Sequence, residues 1–261
     1  MNRLPEYKTI SLSLKEAVLT ITFNRPEKLN AFNDDMFADL SHALDTTTNN
    51  RDVKIVVFTG SGDVFSSGGD LISMTDYHLV YERDDLCELI KNAQKIFDNI
   101  ESISKPTIAA INGHAVGAGL QLAIACDFRI AAKEVMLGLK DVKIGIIPGL
   151  GGTRRLPDLI GIAKAKEMIM LGDAMSAEEA LKIGLVNLVV EKKKLKQAVE
   201  NLTKKLCFNA PLAMSAAKRL INEKSSINKI ANIQADLLKS VDAGEGIKAF
   251  LEKRDPSFKG I

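Results

Sequence analysis

Three glycine-rich turns and three aspartates hold most of the chemical potential of this sequence. The turns are Gly60-Ser-Gly-Asp-Val-Phe-Ser-Ser-Gly-Gly69, Gly113-His-Ala-Val-Gly-Ala-Gly119 and Pro148-Gly-Leu-Gly-Gly152. Glycine permits backbone conformations and close approaches that side chains block, so each turn can present backbone amides. The second turn opens a helix near Ala118. The first N–H groups of a helix lack intrahelical acceptors and carry the positive end of its dipole, so a carbonyl or phosphate oxygen can be held there. Asp70, Asp127 and Asp141 are the acids near the turns. Asp70 follows Gly69 directly and can cap a helix. Asp127 ends an apolar helix, where anchoring a turn is its natural use. Asp141 stands in Gly138-Leu-Lys-Asp-Val-Lys-Ile144, among apolar and glycine-rich neighbours. Desolvation there can turn a carboxylate into a base.

Competing motifs fail on their spacing. Gly117-Ala-Gly119 begins like a dinucleotide fingerprint, but Leu122 stands where the third glycine belongs. The third turn lacks the GK[ST] ending of a phosphate loop, which argues against ATP. No GxSxG elbow exists, and His42, His78 and His114 have no obvious nucleophile beside them. His114 reads as a packed or hydrogen-bonded residue.

The elements that must position these groups read as α/β. Residues 9–14 and 17–24 alternate as two strands around Lys15-Glu16, and Asn33-Asp-Asp caps a helix over about 35–47. The apolar, β-branched run 53–59 predicts a buried strand. Residues 74–86 lack a clear period, which predicts a mobile loop leading into a helix over about 86–103. Residues 106–111 read as a buried strand and 118–126 as a buried helix. Strands follow at 128–131, 136–138 and 143–147, and the third glycine cluster opens a helix near Thr153. Strand, glycine turn and helix therefore recur three times, without a sequence repeat of fixed period. Beyond residue 160 helices dominate, at 163–171, 176–183, 194–209, 211–223 and 227–241, with one strand at 186–190. Ser176-Ala-Glu-Glu179 fits a capping box. A helical C-terminal third on an α/β body suggests an appended module or an oligomerisation surface.

Composition narrows the partners. The 261 residues carry a net charge of +2, which makes no case for nucleic acid or an anionic membrane as the main partner. Cys87, Cys126 and Cys207 form no CxxC or CxxH pattern, so neither zinc nor a disulfide framework is indicated and free thiols in a reducing compartment are expected. No signal-type segment follows Met1 and no apolar run approaches the length of a membrane span, which leads to a cytoplasmic expectation.

Five segments in order carry a family resemblance. They are Asn24-Arg-Pro-Glu-Lys-Leu-Asn-Ala31, Phe65-Ser-Ser-Gly-Gly-Asp-Leu71, the stretch 105–127, Lys143-Ile-Gly-Ile-Ile-Pro-Gly-Leu-Gly-Gly-Thr-Arg-Arg-Leu-Pro157 and Glu245-Gly-Ile-Lys-Ala-Phe-Leu-Glu-Lys-Arg254. Together they resemble the crotonase, or enoyl-CoA hydratase/isomerase, superfamily over nearly the whole length. The resemblance implies an α/β spiral of ββα units over residues 1–195 and a C-terminal helical module over 196–261 that assembles trimers or hexamers. It also implies an acyl-CoA substrate, with coenzyme A part of the substrate rather than a cofactor, and no metal. By the same resemblance the amides of Gly69 and Ala118 form an oxyanion hole for the thioester oxygen. Coenzyme A would lie along Lys28, Leu29 and Ala31, with Ser67, Gly69, Asp70, Leu71 and Ile72 across the bend. Phe250 and Lys253 would reach its nucleotide end from the same or a neighbouring subunit, core packing being the alternative for Phe250.

One departure sharpens the functional expectation. Where hydratases of the family carry two glutamates, this chain has Gln121 and Asp141. Gln121 can orient water but cannot exchange a proton at neutral pH. Asp141 can, with a side chain one methylene shorter. The expected chemistry therefore uses Asp141 as the single acid/base and Gln121 as a polar positioner. In it, Asp141 takes a C2 proton from a 3-enoyl thioester, the enolate rests in the oxyanion hole, and the proton returns at C4. Hydrolysis or decarboxylation of an acyl-CoA on the same site is one alternative, and a CoA-binding subunit without chemistry is another.

Overall fold

A computed structural model describes residues 4–261, so the first three positions of the expected core lie outside the described residues. The chain runs β1 (Ile10–Lys15), β2 (Val18–Phe23), α1 (Asp34–Asn49), β3 (Ile55–Gly60), β4 (Val64–Ser66), α2 (Leu71–Val80) and α3 (Arg83–Ser102). It continues through β5 (Thr107–Ile111), β6 (His114–Val116), α4 (Ala118–Ala125), β7 (Phe128–Ala132), β8 (Met136–Gly138), α5 (Gly152–Ile160) and α6 (Ile162–Leu171). It ends with β9 (Ala174–Ser176), α7 (Ala177–Lys182), β10 (Leu188–Val190), α8 (Leu195–Cys207), α9 (Pro211–Asn222), α10 (Ile227–Leu238) and α11 (Val241–Glu252).

Two sheets grow in step. The larger has the order β1-β2-β3-β5-β7-β10 and the smaller β4-β6-β8-β9. Each of the pairs β3–β4, β5–β6 and β7–β8 gives its first strand to the larger sheet and its second to the smaller, all in parallel register, before the chain passes into helix. That progression is a spiral of ββα turns. Parallel strands covered on both faces need unbroken apolar runs, and β3 shows why. Its Val56 and Phe58 enter the main core with Ala109, Ile111 and Ala131, while Ile55 and Val57 face a second cluster with Ile108, Ile130 and Leu195 of α8.

Three expectations need correction. The mobile loop expected at 74–86 is instead helix α2 and the start of α3. Asp70 caps α2 by accepting from Ile72 N at 3.1 Å, and Tyr77 hydrogen-bonds Asp34 of α1. No residue of α2 is buried, so the segment never needed the apolar period that would have revealed a helix. The strand expected at 143–147 is a 3-10 turn, Asp141–Ile144, closed by Gly145 at φ 79. Its isoleucines, Ile144, Ile146 and Ile147, are exposed rather than paired in a sheet. The helix expected at 227–241 breaks where Ser240 caps a new one, accepting from Ala243 N at 3.1 Å. The strand predicted at 186–190 narrows to β10, and β4, β6 and β9 are short strands with no counterpart in the sequence reading. The capping box at Ser176 is present with both of its hydrogen bonds.

A half-buried lysine is one of the links between the C-terminal helices and the body, beside Asn222 on the Glu101 carbonyl and Lys224 on Asp158. Lys218 of α9 donates to Asp127 Oδ2 (2.8 Å), the Lys105 carbonyl (3.1 Å) and the Ile100 carbonyl (3.4 Å). Asp127 also accepts from Thr107 N (2.7 Å) and Thr107 Oγ1 (2.9 Å), so it anchors a turn as expected. Breaking a largely buried pair from one side costs about 3 kcal/mol. Lys218→Met is therefore expected to lower the melting temperature by roughly 6–12 °C for a chain of this size, measured by calorimetry. Among the described residues no helix is long and apolar enough to cross a membrane.

Candidate active site

The first amide comes from a turn with an unusual anchor. Gly69 forms an isolated parallel bridge with Phe32, in which Phe32 N donates to Gly68 O and Asp70 N donates to Phe32 O, both at 2.8 Å. In such a bridge the neighbours supply the paired groups, so the N–H of Gly69 faces away from Phe32. Asn30 knots the turn from below. Its Nδ2 donates to Ser61 O (2.9 Å) and Val64 O (2.8 Å), while its carbonyl accepts from Ser66 Oγ (2.8 Å).

The second amide begins α4. Gly117 adopts φ 50 and ψ −121, a conformation closed to other residues, and its N–H donates to Gly138 O at 2.9 Å. Ala118 is the first residue of a wholly buried helix, and its amide has no acceptor within the helix. The two turns touch. A Cβ on Gly68, which sits at φ 106, would lie 3.1 Å from Val116 O and 3.6 Å from Ala118 N. A Cβ on Gly119 would lie 2.7 Å from Ser66 Cβ, so that glycine is required for the turns to approach.

Asp141 faces this junction from the start of its 3-10 turn. Its Oδ2 is a buried side-chain oxygen without a hydrogen-bond partner, alone in this among the described residues. The same oxygen lies 3.9 Å from where a Cβ of Gly117 would stand. Burial pushes the Asp141 carboxyl above the usual carboxylate range. Its Oδ1 accepts a long hydrogen bond, 3.4 Å, from Gln121 Nε2. Gln121 is buried, and its Oε1 accepts from Leu150 N (2.7 Å) and Gly152 N (3.2 Å). Turning that carboxamide over would set its NH₂ against two N–H donors, at about 1–3 kcal/mol for each group left unsatisfied. The amide oxygen is thereby fixed on the loop and the nitrogen on Asp141.

The structure also brings together the two segments expected to bind coenzyme A. Ser67 N donates to Leu29 O at 3.0 Å, and Arg25 joins Ala31 O (2.6 Å) to Asp70 Oδ2 (3.1 Å). Burial raises the Asp70 carboxyl, but Arg25 and the Ile72 amide outweigh it and hold the group below its ordinary range. Lys28, Leu29, Leu71 and Ile72 are exposed along this bend, Ser67 is half-buried and Ala31 is buried. Phe250 and Lys253 lie on and just after α11, and Phe250 is 84% exposed, which removes the core-packing alternative. They are not drawn into the site by the hydrogen bonds that join the other candidates. His114 accepts from Met136 N at 2.9 Å and is used structurally.

One residue escaped the sequence reading. Met74 of α2 lies across Gly69, with its Cε 3.2 Å and Sδ 3.4 Å from the position of a Cβ there. Nothing in the aperiodic stretch around Met74 marks it out.

A carboxylate with one unpartnered oxygen, set beside the junction of the two turns, can remove a proton from carbon next to a carbonyl whose oxygen backbone amides hold. The surrounding framework, a ββα spiral followed by C-terminal helices, is the fold of crotonase-type enzymes. Comparison with known proteins agrees. The family profile described as enoyl-CoA hydratase/isomerase matches residues 13–261. The chain is 37% identical over 259 residues to a crotonyl-CoA hydratase of Syntrophomonas wolfei, covering 97% of this chain and 98% of that protein. It is 34% identical over 256 residues to a short-chain-enoyl-CoA hydratase of Clostridium acetobutylicum, covering 95% and 97%. The crystal structure of an enoyl-CoA hydratase from Bacillus anthracis matches with a TM-score of 0.89 at 33% identity, covering 97% of this chain and 100% of that one. The chain belongs to the enoyl-CoA hydratase/isomerase family of enzymes.

Proposed function

We propose that this enzyme acts on an enoyl-CoA thioester by proton transfer at C2, with Asp141 as its single acid/base. The observation that carries this reading is the unpartnered Asp141 Oδ2, facing the junction of the two glycine turns. The amides of Gly69 and Ala118 hold the thioester oxygen as it gains charge, and donors aimed at developing charge are a large catalytic term. Asp141 takes the C2 proton of a 3-enoyl thioester, and its conjugate acid returns the proton at C4, so one group serves both steps. Coenzyme A lies along Lys28, Leu29 and Ala31 opposite Ser67, Asp70, Leu71 and Ile72, as part of the substrate, and no separate cofactor is needed. The free thiols Cys87, Cys126 and Cys207 support the reducing, cytoplasmic setting. Exposed Leu238, Val241, Ile247, Phe250 and Leu251 on the last helices support assembly into a trimer or hexamer, in which Phe250 and Lys253 reach a nucleotide end; a monomer mass in sedimentation would remove this part.

Hydration is the second reading, favoured by the hydratase names of the relatives. Water would then be activated by Asp141 and oriented by Gln121. The two readings separate on purified enzyme. Incorporation of deuterium at C2 of a 3-enoyl-CoA faster than hydration of crotonyl-CoA supports the first. Fast loss of the conjugated enoyl absorbance with 3-hydroxyacyl-CoA formed supports the second. Gln121→Glu restores a second acid beside Asp141 and is expected to raise hydration relative to isomerisation; no rise would remove the missing acid as the reason for the preference.

A further inference from the structure

The carboxamide of Gln121 is oriented by two backbone amides, one from Leu150 in the glycine-rich turn and one from Gly152 at the first residue of α5. Gly151 sits at φ 99, a conformation that glycine adopts readily, and the turn is also held from outside. Two side chains hold it. Gln94 of α3 donates through Nε2 to Gly149 O at 2.6 Å, and Arg155 of α5 donates through Nη1 to Leu150 O at 3.0 Å. The Gly149 carbonyl shares its peptide group with the Leu150 amide that Gln121 uses, and the Leu150 carbonyl belongs to the peptide between the two amides that Gln121 uses.

Arg155 is itself held hard. Only 4% exposed, it donates through Nε and Nη2 to Glu101 Oε2 at 3.1 and 3.0 Å, and through Nη2 to Asp98. Its guanidinium passes directly over Gly151, where any Cβ would collide with it. Both acids lie on α3, as does Gln94, and that helix is seated in the core by Ala93, Ile96, Phe97 and Ile100. A rigid element is thus connected to the candidate base through a short series of contacts. It runs from α3 through Gln94 and Arg155 to the 149–150 carbonyls, then through Leu150 N and Gly152 N to Gln121, and from Gln121 Nε2 to Asp141. Other charges near the two ends are already engaged: Arg154 on Asp98 and Glu101, and Lys143 on Asp173.

We infer that Gln94 and Arg155 are positioning residues for the proton-transfer step, setting the Gln121 carboxamide so that its nitrogen donates to Asp141. This rests on the reading of Asp141 as the base. A donor on Asp141 favours the ionised form and offsets part of the effect of burial. Loosening either brace lets Gln121 turn or withdraw, and the carboxylate then becomes harder to ionise. Arg155→Lys keeps the charge but loses the planar fork that engages Glu101, Asp98 and Leu150 together. Gln94→Leu removes the other grip with little change in bulk and serves if the lysine variant fails to fold.

The test measures C2 deuterium exchange on a 3-enoyl-CoA as a function of pH for wild type, Gln94→Leu, Arg155→Lys, Gln121→Met and each brace variant combined with Gln121→Met. Each brace variant is expected to lower kcat by about tenfold to a hundredfold, to leave KM within about twofold, and to move the acid limb of kcat to higher pH. In the Gln121→Met background the same brace substitutions are expected to change neither kcat nor the limb. Unchanged kcat and limb in the brace variants, or the same losses with Gln121 already gone, would overturn the inference while leaving Asp141 in its role. Wild-type exchange that persists in Asp141→Asn would instead remove the base, and the inference with it.

Discussion

Asp141→Asn is expected to lower turnover by about 10²–10⁴-fold, the usual contribution of a positioned acid/base, while coenzyme A binding stays nearly unchanged. The carboxamide is nearly isosteric and still accepts from Gln121, so geometry survives and only the proton is lost. The same substitution is expected to raise thermal stability. Burial raises the folded-state pKa of Asp141, with no partner on Oδ2 to compensate. A carboxyl whose folded pKa lies above its unfolded value penalises the folded state at pH above the folded pKa, where it is ionised in both states. The penalty fades as pH falls and is gone below the unfolded value, where the group is neutral in both. At neutral pH asparagine therefore removes a cost. Calorimetry at pH 7 showing a higher melting temperature, beside kinetics showing lost turnover, is the expected pair. A variant that is less stable and still active would contradict both halves of the account.

Closing the amide junction should cost nearly as much through a different route. Gly68 adopts φ 106, and a methyl group there lies 3.1 Å from Val116 O and 3.6 Å from Ala118 N. Gly68→Ala forces the turn to shift in a region of backbone space that alanine avoids, and pushes it off the second turn. Two donors that no longer converge lose about 10²–10³-fold in kcat, comparable to deleting one oxyanion donor. The proposed coenzyme A path includes the 67–72 turn that carries Gly68, so affinity for free coenzyme A is expected to fall as well, but by less than kcat because the 28–31 side of the path keeps its place. Crystallography or amide exchange at Gly69 and Ala118 can confirm that the change is local. Equal losses in binding and turnover would place Gly68 in the binding groove alone.

How much of this could be read from residues alone follows from where the signals live. The buried parallel strands β3 and β5 and the buried helix α4 announce themselves because nearly all of their positions are apolar or small. The glycines of the two amide turns were legible as well, since no other residue satisfies such backbones. Helix α2 was not, because it buries no residue and therefore carries no period. Nor was the 3-10 turn at Asp141, since exposed isoleucines beside a glycine imitate a strand. Asp141 could be named as a candidate from its neighbours, but the empty side of its carboxylate, Met74 across Gly69 and the brace on Gln121 exist only in three dimensions. Contacts between residues far apart in sequence leave no mark at either position taken singly.

Exchange at C2 of a 3-enoyl-CoA thioester in heavy water, followed across pH with wild-type and Asp141→Asn enzyme, tests the central claim most directly. Wild-type exchange is expected to fall away as pH drops through a limb above the ordinary carboxylate value of about 3.9, and exchange by the variant to be slower by about 10²–10⁴-fold. Exchange of equal speed in both proteins, or none in the wild type alongside rapid hydration of crotonyl-CoA, would contradict it.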